Sequence, residues 1–220
     1  MHAVVAGCQA TGVATPEPSL VDLDAVIVGW FRDEPDSAVQ RAIEWGEPVL
    51  RRAVALYYGH AMWTSPPELT GAGREIGDAW THLLFRLAMA FPGAYLDEID
   101  ARRIRLRGGA PISEVVILGY LDDPRAAPLL VRCTRHRDWL VRYHAVRGLA
   151  RRDDAASVAA IEHAATRDCS LPVRVEAVAG IARRDPARAR TLYTELLDHP
   201  HQTPLLSRQV RQALNSTAQT

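Results

Sequence analysis

"DWLVRYHAVRGLARRD", residues 138–153, is followed 32 positions later by a near copy, "LPVRVEAVAGIARRD", which ends at Asp185. Laying Val141–Asp153 over Val173–Asp185 gives nine identities in 13 positions. A bias toward Ala, Val and Arg inflates such a match, but it does not bring Gly148 over Gly180 or Asp153 over Asp185. Recurrence at this period is the mark of a repeat array, and it decides the fold before any residue suggests a chemistry. Within the first copy Val141, Ala145, Gly148 and Leu149 recur at i, i+4, i+7 and i+8, the spacing of a helix that buries one face. Glycine inside a helix is about 1 kcal/mol less favourable than alanine. Its return at Gly180 therefore implies close packing against another helix.

Working outward, each striped helix follows another with its own apolar pattern. "DPRAAPLLVRCTRH" (123–136) precedes the first copy and "DDAASVAAIEHAATRD" (153–168) the second. "DPARARTLYTELLDHP" (185–200) leads into "PLLSRQVRQALN" (204–215), a weaker third copy. Pro124 and Pro186 stand where a first helical turn tolerates them, behind Asp123 and Asp185 as caps. Upstream, "PISEVVILGYLDD" (111–123) fits the same template when Gly119 is set over Gly148. Residues 111–215 thus read as helix–turn–helix, repeated. Earlier helices are expected over 19–31, 36–46, 47–60 and 76–91, with a Pro- and Gly-marked loop at 64–75 and a break at 106–111. The expected division is a flexible lead-in (1–18), an irregular helical part (19–110), the repeats (111–215) and a flexible tail (216–220).

The pattern carried by Asp138, Val141, Arg142, Ala145 and Leu149, and again by Asp168, Val173, Arg174, Ala177 and Ile181, resembles HEAT repeats, of the short bacterial type. The resemblance implies an all-α fold, an α-solenoid of stacked antiparallel helix pairs with an irregular N-terminal half. It also implies that these are the second helices of their pairs, and that the Asp and Arg residues knit neighbouring repeats together. In function it implies a non-catalytic adaptor whose concave face holds another protein or a peptide segment.

Composition narrows the chemistry. The 26 basic residues balance 26 acidic ones, so no overall field draws the chain to nucleic acid or to a membrane surface. Nucleic acid is the disfavoured partner and a membrane is not expected. All the basic residues are arginine and the sole asparagine is Asn215, a usage that fits a GC-rich bacterial genome. Without lysine, this chain offers no Schiff-base, P-loop or kinase lysine. Cys8, Cys133 and Cys169 are too scattered for a disulfide framework or zinc site and fit a reducing, cytoplasmic setting, with Cys133 and Cys169 read as small core residues. The eight histidines form no metal-ligand spacing, and no nucleophile elbow or dinucleotide-binding motif occurs. No catalytic residue, metal or cofactor is assigned.

With Ala145 at the centre of the buried stripe, Tyr143 and Arg147 should face the groove, with Trp139 on the flank. The equivalent places are Arg51 and Ala55, Glu114 and Leu118, Val175 and Ala179, and Arg208 and Gln212, with Tyr58 close to the same face. Tryptophan, tyrosine and arginine dominate protein interfaces, so the candidate partner-binding residues are Arg51, Tyr58, Glu114, Trp139, Tyr143 and Arg147. The arginine pairs 151–152 and 183–184 read as solvated helix ends, and "ARRIRLR" (101–107) is the most basic stretch. Alternatives are an enzyme resembling the HEAT-like alkylpurine DNA glycosylases, with Asp78, Trp80, Trp139 and Arg142 or Arg147 in its groove, or an unusual biosynthetic enzyme.

Overall fold

The computed structural model describes residues 35–58, 73–101, 112–198 and 203–217, and every regular element among them is a helix. The helix expected over 19–31, most of the 64–75 loop and nearly all of the basic stretch at 101–107 lie outside the described residues. The chain divides into two compact units, Met1–Trp80 and Thr81–Thr220.

In the first unit, α1 (Pro35–Glu44) and α2 (Glu47–Tyr57) form a tight hairpin. Gly46 makes the turn at φ 79°, a left-handed conformation that glycine enters without steric cost. Pro48 then sits in the first turn of α2, where its missing N–H has no helical partner to lose. Ala38, Val39 and Ala42 of α1 and Val49, Leu50, Ala53 and Val54 of α2 are fully buried.

Helix α3 (Gly73–Ala90) begins inside the segment expected to be loop, and the division between units falls within it. The second unit continues with α4 (Pro92–Ala101), α5 (Ile112–Tyr120), α6 (Ala126–Cys133), α7 (Trp139–Leu149), α8 (Ala155–Arg167), α9 (Leu171–Ala182), α10 (Pro186–Leu197) and α11 (Pro204–Thr217). Each of these from α5 onward packs on the next, while α5 also packs on α7, α7 on α9, α9 on α11, and α6 on α8. That connectivity makes two layers. The odd-numbered helices lie side by side in one, and α6 and α8 lie side by side in the other, as in an α-solenoid. Phe85 meets Tyr120 edge to face at 5.4 Å between ring centroids. Arg125 reaches Asp97 at 2.8 Å. These two contacts carry the same order back to α3 and α4.

Caps set the helix starts. Asp138 accepts from the Leu140 N–H, Asp154 from Ser157 and Asp185 from Arg188, each satisfying an otherwise orphan donor. Pro186 stands in the first turn of α10 behind its cap, as expected. Asp123 caps differently. It accepts from the Arg125 N–H at 2.8 Å in the turn ahead of α6, so Pro124 belongs to that turn.

The stripe read from the sequence is the core. Val141, Ala145, Val146 and Leu149 of α7 and Val173, Ala177 and Val178 of α9 are at most 1% exposed. Burying each large aliphatic side chain stabilises by about 1.5–3 kcal/mol. The glycines mark the helix crossings. A Cβ on Gly148 would come within 2.7 Å of the Gly119 Cα, and one on Gly119 within 2.9 Å of the Gly148 Cα, so α5 and α7 touch backbone to backbone. At the next step Gly180 faces Ala150, whose Cβ lies 3.0 Å from a Cβ built there.

Candidate functional site

Polar links between repeats consume several residues that look available in the sequence. The Arg142 guanidinium forks Asp168, with Nε donating to Oδ2 at 2.8 Å and Nη2 to Oδ1 at 2.9 Å. Its Nη1 donates to the carbonyls of His136 and Arg137. The pair is about nine-tenths buried, and the planar fork matches the carboxylate. Arg142 therefore ties the start of α7 to the turn between α8 and α9. This is the stitching that the Asp and Arg pattern implied.

A second link was not legible. Arg152 donates to the carbonyls of Leu121 at 2.5 Å, Asp123 at 3.2 Å and Leu118 at 3.4 Å. One repeat later Arg184 donates to the carbonyls of Arg152 and Ala150 and pairs with Asp153 at 2.9 Å. Each arginine thus caps the C-terminal end of the preceding odd helix, where orphan carbonyls and the helix dipole favour a cation. These are inter-repeat clasps, which corrects the reading of the arginine pairs as solvated ends for Arg152 and Arg184, while Arg151 and Arg183 are exposed. Their partners are backbone carbonyls, which leave no mark in a sequence.

The same clasps fix the register. Arg184 reaches back 32 residues to Arg152, and Arg152 reaches back 31 to Leu121. At an offset of 31, Leu118 falls on Leu149 and Val115 on Val146, all fully buried. Glu114 then falls on Ala145, the stripe centre, and is 1% exposed. The expectation that Glu114 and Leu118 face the groove is therefore corrected. Gly119 does not correspond to Gly148 but meets it across the crossing. The positions of α5 that correspond to Tyr143, Arg147 and Arg151 are Ile112, Val116 and Tyr120.

The remaining candidates fall in two places. Arg51 and Tyr58 are in the first unit. Arg51 is exposed and paired with Glu47 one turn earlier at 3.3 Å, and Tyr58 is half-buried against Tyr57, with centroids 5.2 Å apart. Trp139, Tyr143 and Arg147 come together along one side of α7. Trp139 is 46% exposed, and its ring stands edge to face with Tyr143 at 6.5 Å. Arg147 is half-exposed and lies 3.9 Å from Glu176 of α9. Burial, reinforced by Glu176, pushes the Tyr143 phenol above its ordinary value. Burial and then Arg147 hold His144 below its ordinary value, with Glu176 opposing. At neutral pH, Tyr143 is therefore a neutral hydrogen-bonding ring on this face, and His144 is uncharged beside it.

Three further features belong to the layer of odd helices. Arg151 lies over the Tyr120 ring, 4.0 Å from its centroid, a cation–π contact. Arg183 is exposed and donates to the Ala150 carbonyl at 3.4 Å. Between the starts of α9 and α11, a cavity of about 400 Å³ is lined by Cys169, Leu171, Pro172, Thr203, Leu205, Leu206 and Gln209. Cys133 is buried as expected, but Cys169 is exposed, because it lies in the turn before α9. The Arg142 Nη2 is 3.3 Å from its Sγ.

The glycosylase-like cast fares differently. Arg142 is committed to Asp168, and Trp80 is 5% exposed, so neither side chain presents itself to a ligand. Among the described residues no group of His, Cys, Asp and Glu is placed to hold a metal ion. None of their helices is long and apolar enough to cross a membrane.

Residues 115–176 match the family model for HEAT repeats. This segment belongs to the HEAT-repeat family. The match runs from α5 to the middle of α9 and spans the Gly119–Gly148 crossing, the Arg152 clasp and the Arg142–Asp168 fork. HEAT repeats generally serve as scaffolds for protein interaction, because stacked hairpins present a continuous surface of helices. No curated protein and no solved structure matches the chain.

Proposed function

We propose that the chain is a non-catalytic binding scaffold, holding another protein or a peptide segment of one against its layer of odd helices. One observation carries this reading. The large hydrophobic side chains left exposed among the described residues are Tyr120, Trp139 and Leu205, and they stand on α5, α7 and α11, all in the same layer. Water-exposed aromatic and aliphatic side chains carried by one layer of helices are what a partner covers. Trp139 with Tyr143 and Arg147 supplies the residue types that form interface hot spots. The glycosylase-like alternative loses Trp80 and Arg142, which are buried or committed, and of its other residues Trp139 and Arg147 are those that the scaffold reading uses.

The test is affinity capture from the native host's lysate by the wild-type chain and by a Trp139→Ala, Arg147→Glu variant of unchanged melting temperature. The reading expects proteins held by the wild type and released by the variant. Equal retention by both would remove this face from consideration.

A further inference from the structure

The exposed face of the odd helices is not uniform along their length. At its N-terminal end lie Trp139, Leu171 and Leu205, the last two lining the cavity between α9 and α11. At the C-terminal end lie Arg151 and Arg183, both exposed, with Arg183 donating to the carbonyl of Ala150, the residue before Arg151. Arg152 and Arg184, their sequence neighbours, are spent on the clasps. The face is thus apolar at one end and presents two exposed arginines, beside the aspartates of the turns, at the other. Trp139 and Arg151 are 12 residues apart, about 18 Å at 1.5 Å per helical residue.

Resting on the scaffold reading, we propose that the partner segment is acidic and anchored by an apolar side chain: its carboxylates meet Arg151 and Arg183, and its anchor occupies the apolar end at Trp139 and the Leu171–Leu205 cavity. A segment of about six extended residues spans that separation. Neither arginine is neutralised by a carboxylate among its described contacts, as Arg151 lies over a ring and Arg183 donates to a carbonyl. Planar guanidinium groups in this state suit bidentate recognition of carboxylates.

A nucleic acid fits the same face less well. Asp122, Asp153 and Asp185 are exposed in the turns that follow the odd helices. A duplex carries a negative charge about every 1.7 Å and would press phosphates against those carboxylates. A peptide with a few acids can place them on the arginines alone.

The experiment is selection from a random 12-residue peptide display library on the wild-type chain, followed by solution affinities of the selected peptides. The expected result is enrichment of Asp and Glu beside a Leu, Ile or Phe. Affinity should fall about tenfold or more in Arg151→Glu/Arg183→Glu, and equally when the peptide's acids are replaced by their amides. Trp139→Ala should also weaken the peptide, and a duplex oligonucleotide at low salt should not compete. If the charge-reversed variant fails to fold, Arg151→Gln/Arg183→Gln carries the same expectation. Selected peptides without acidic residues that still depend on Trp139 would overturn this inference and leave the scaffold reading standing. Failure to select any peptide would count against both. Duplex binding lost in the arginine variant would replace the peptide with nucleic acid.

Discussion

Arg142 and Arg125 show how burial, rather than distance, sets what an ion pair is worth. Both approach a carboxylate at 2.8 Å. Removing Arg142 leaves the Asp168 carboxylate buried without its counter-charge, so Arg142→Ala is expected to destabilise by about 3–5 kcal/mol. Arg142→Lys should recover little of this, because an ammonium cannot fork. Arg125 is half-exposed, where solvent screens the pair, and Arg125→Ala should move the urea midpoint far less than Arg142→Ala. Urea unfolding of the three variants checks the contrast. Two buried groups contribute most clearly to the alkaline limit. Burial pushes the Tyr193 phenol up to about 12, with Glu176 adding to the effect, and the Cys133 thiol up to about 11 against a small opposing pull from Arg132. Both hold their protons more tightly folded than unfolded, where the ordinary values are about 10 and 8.5. Their contribution is therefore complete below the unfolded values and lost as pH rises through the folded ones. The urea midpoint should fall between about pH 9 and 12, and Tyr193→Phe should flatten the upper part of that fall.

Helix crossings and helix ends carry the next level. Alanine propagates a helix better than glycine by about 1 kcal/mol, yet Gly148→Ala is expected to destabilise by about 1–3 kcal/mol. Its Cβ would meet the Gly119 Cα at 2.7 Å, and backbone cannot step aside. Gly180→Ala should be milder, since its nearest neighbour is a side-chain methyl at 3.0 Å. Thermal midpoints of the two variants give the order. Arg152→Ala uncaps α5 and should cost about 1–3 kcal/mol. The packing need at Gly148 and Gly180 was legible, because a helix-disfavouring residue that repeats in register signals contact. The identity of the opposing residue was not, since Gly119 matches Gly148 by type while meeting it in space. That one misplaced landmark put Glu114 on the groove and hid Tyr120. Taking the register from the apolar pairs Val115/Val146 and Leu118/Leu149 would have avoided it.

Across the molecule, the array from Thr81 onward is held by contacts between neighbouring hairpins, so damage should stay local. In Gly148→Ala, hydrogen exchange should quicken first in α5 and α7 and least in α11. The recurrence of Val141–Asp153 at Val173–Asp185, 32 residues on, made this architecture readable. The clasping arginines and the polarity of the exposed face were hidden, because they depend on carbonyls and neighbours brought together only by stacking. The central claim is that hairpins stack in one register, with Gly119 against Gly148. It is tested most directly by proton NMR of the chain with its 14 glycines selectively labelled. The account expects a strong cross-peak between the α-protons of Gly119 and Gly148, residues 29 apart in sequence. Its absence, or a cross-peak from Gly148 to Val116 or Ile117 in its place, would contradict the register and the binding face built on it.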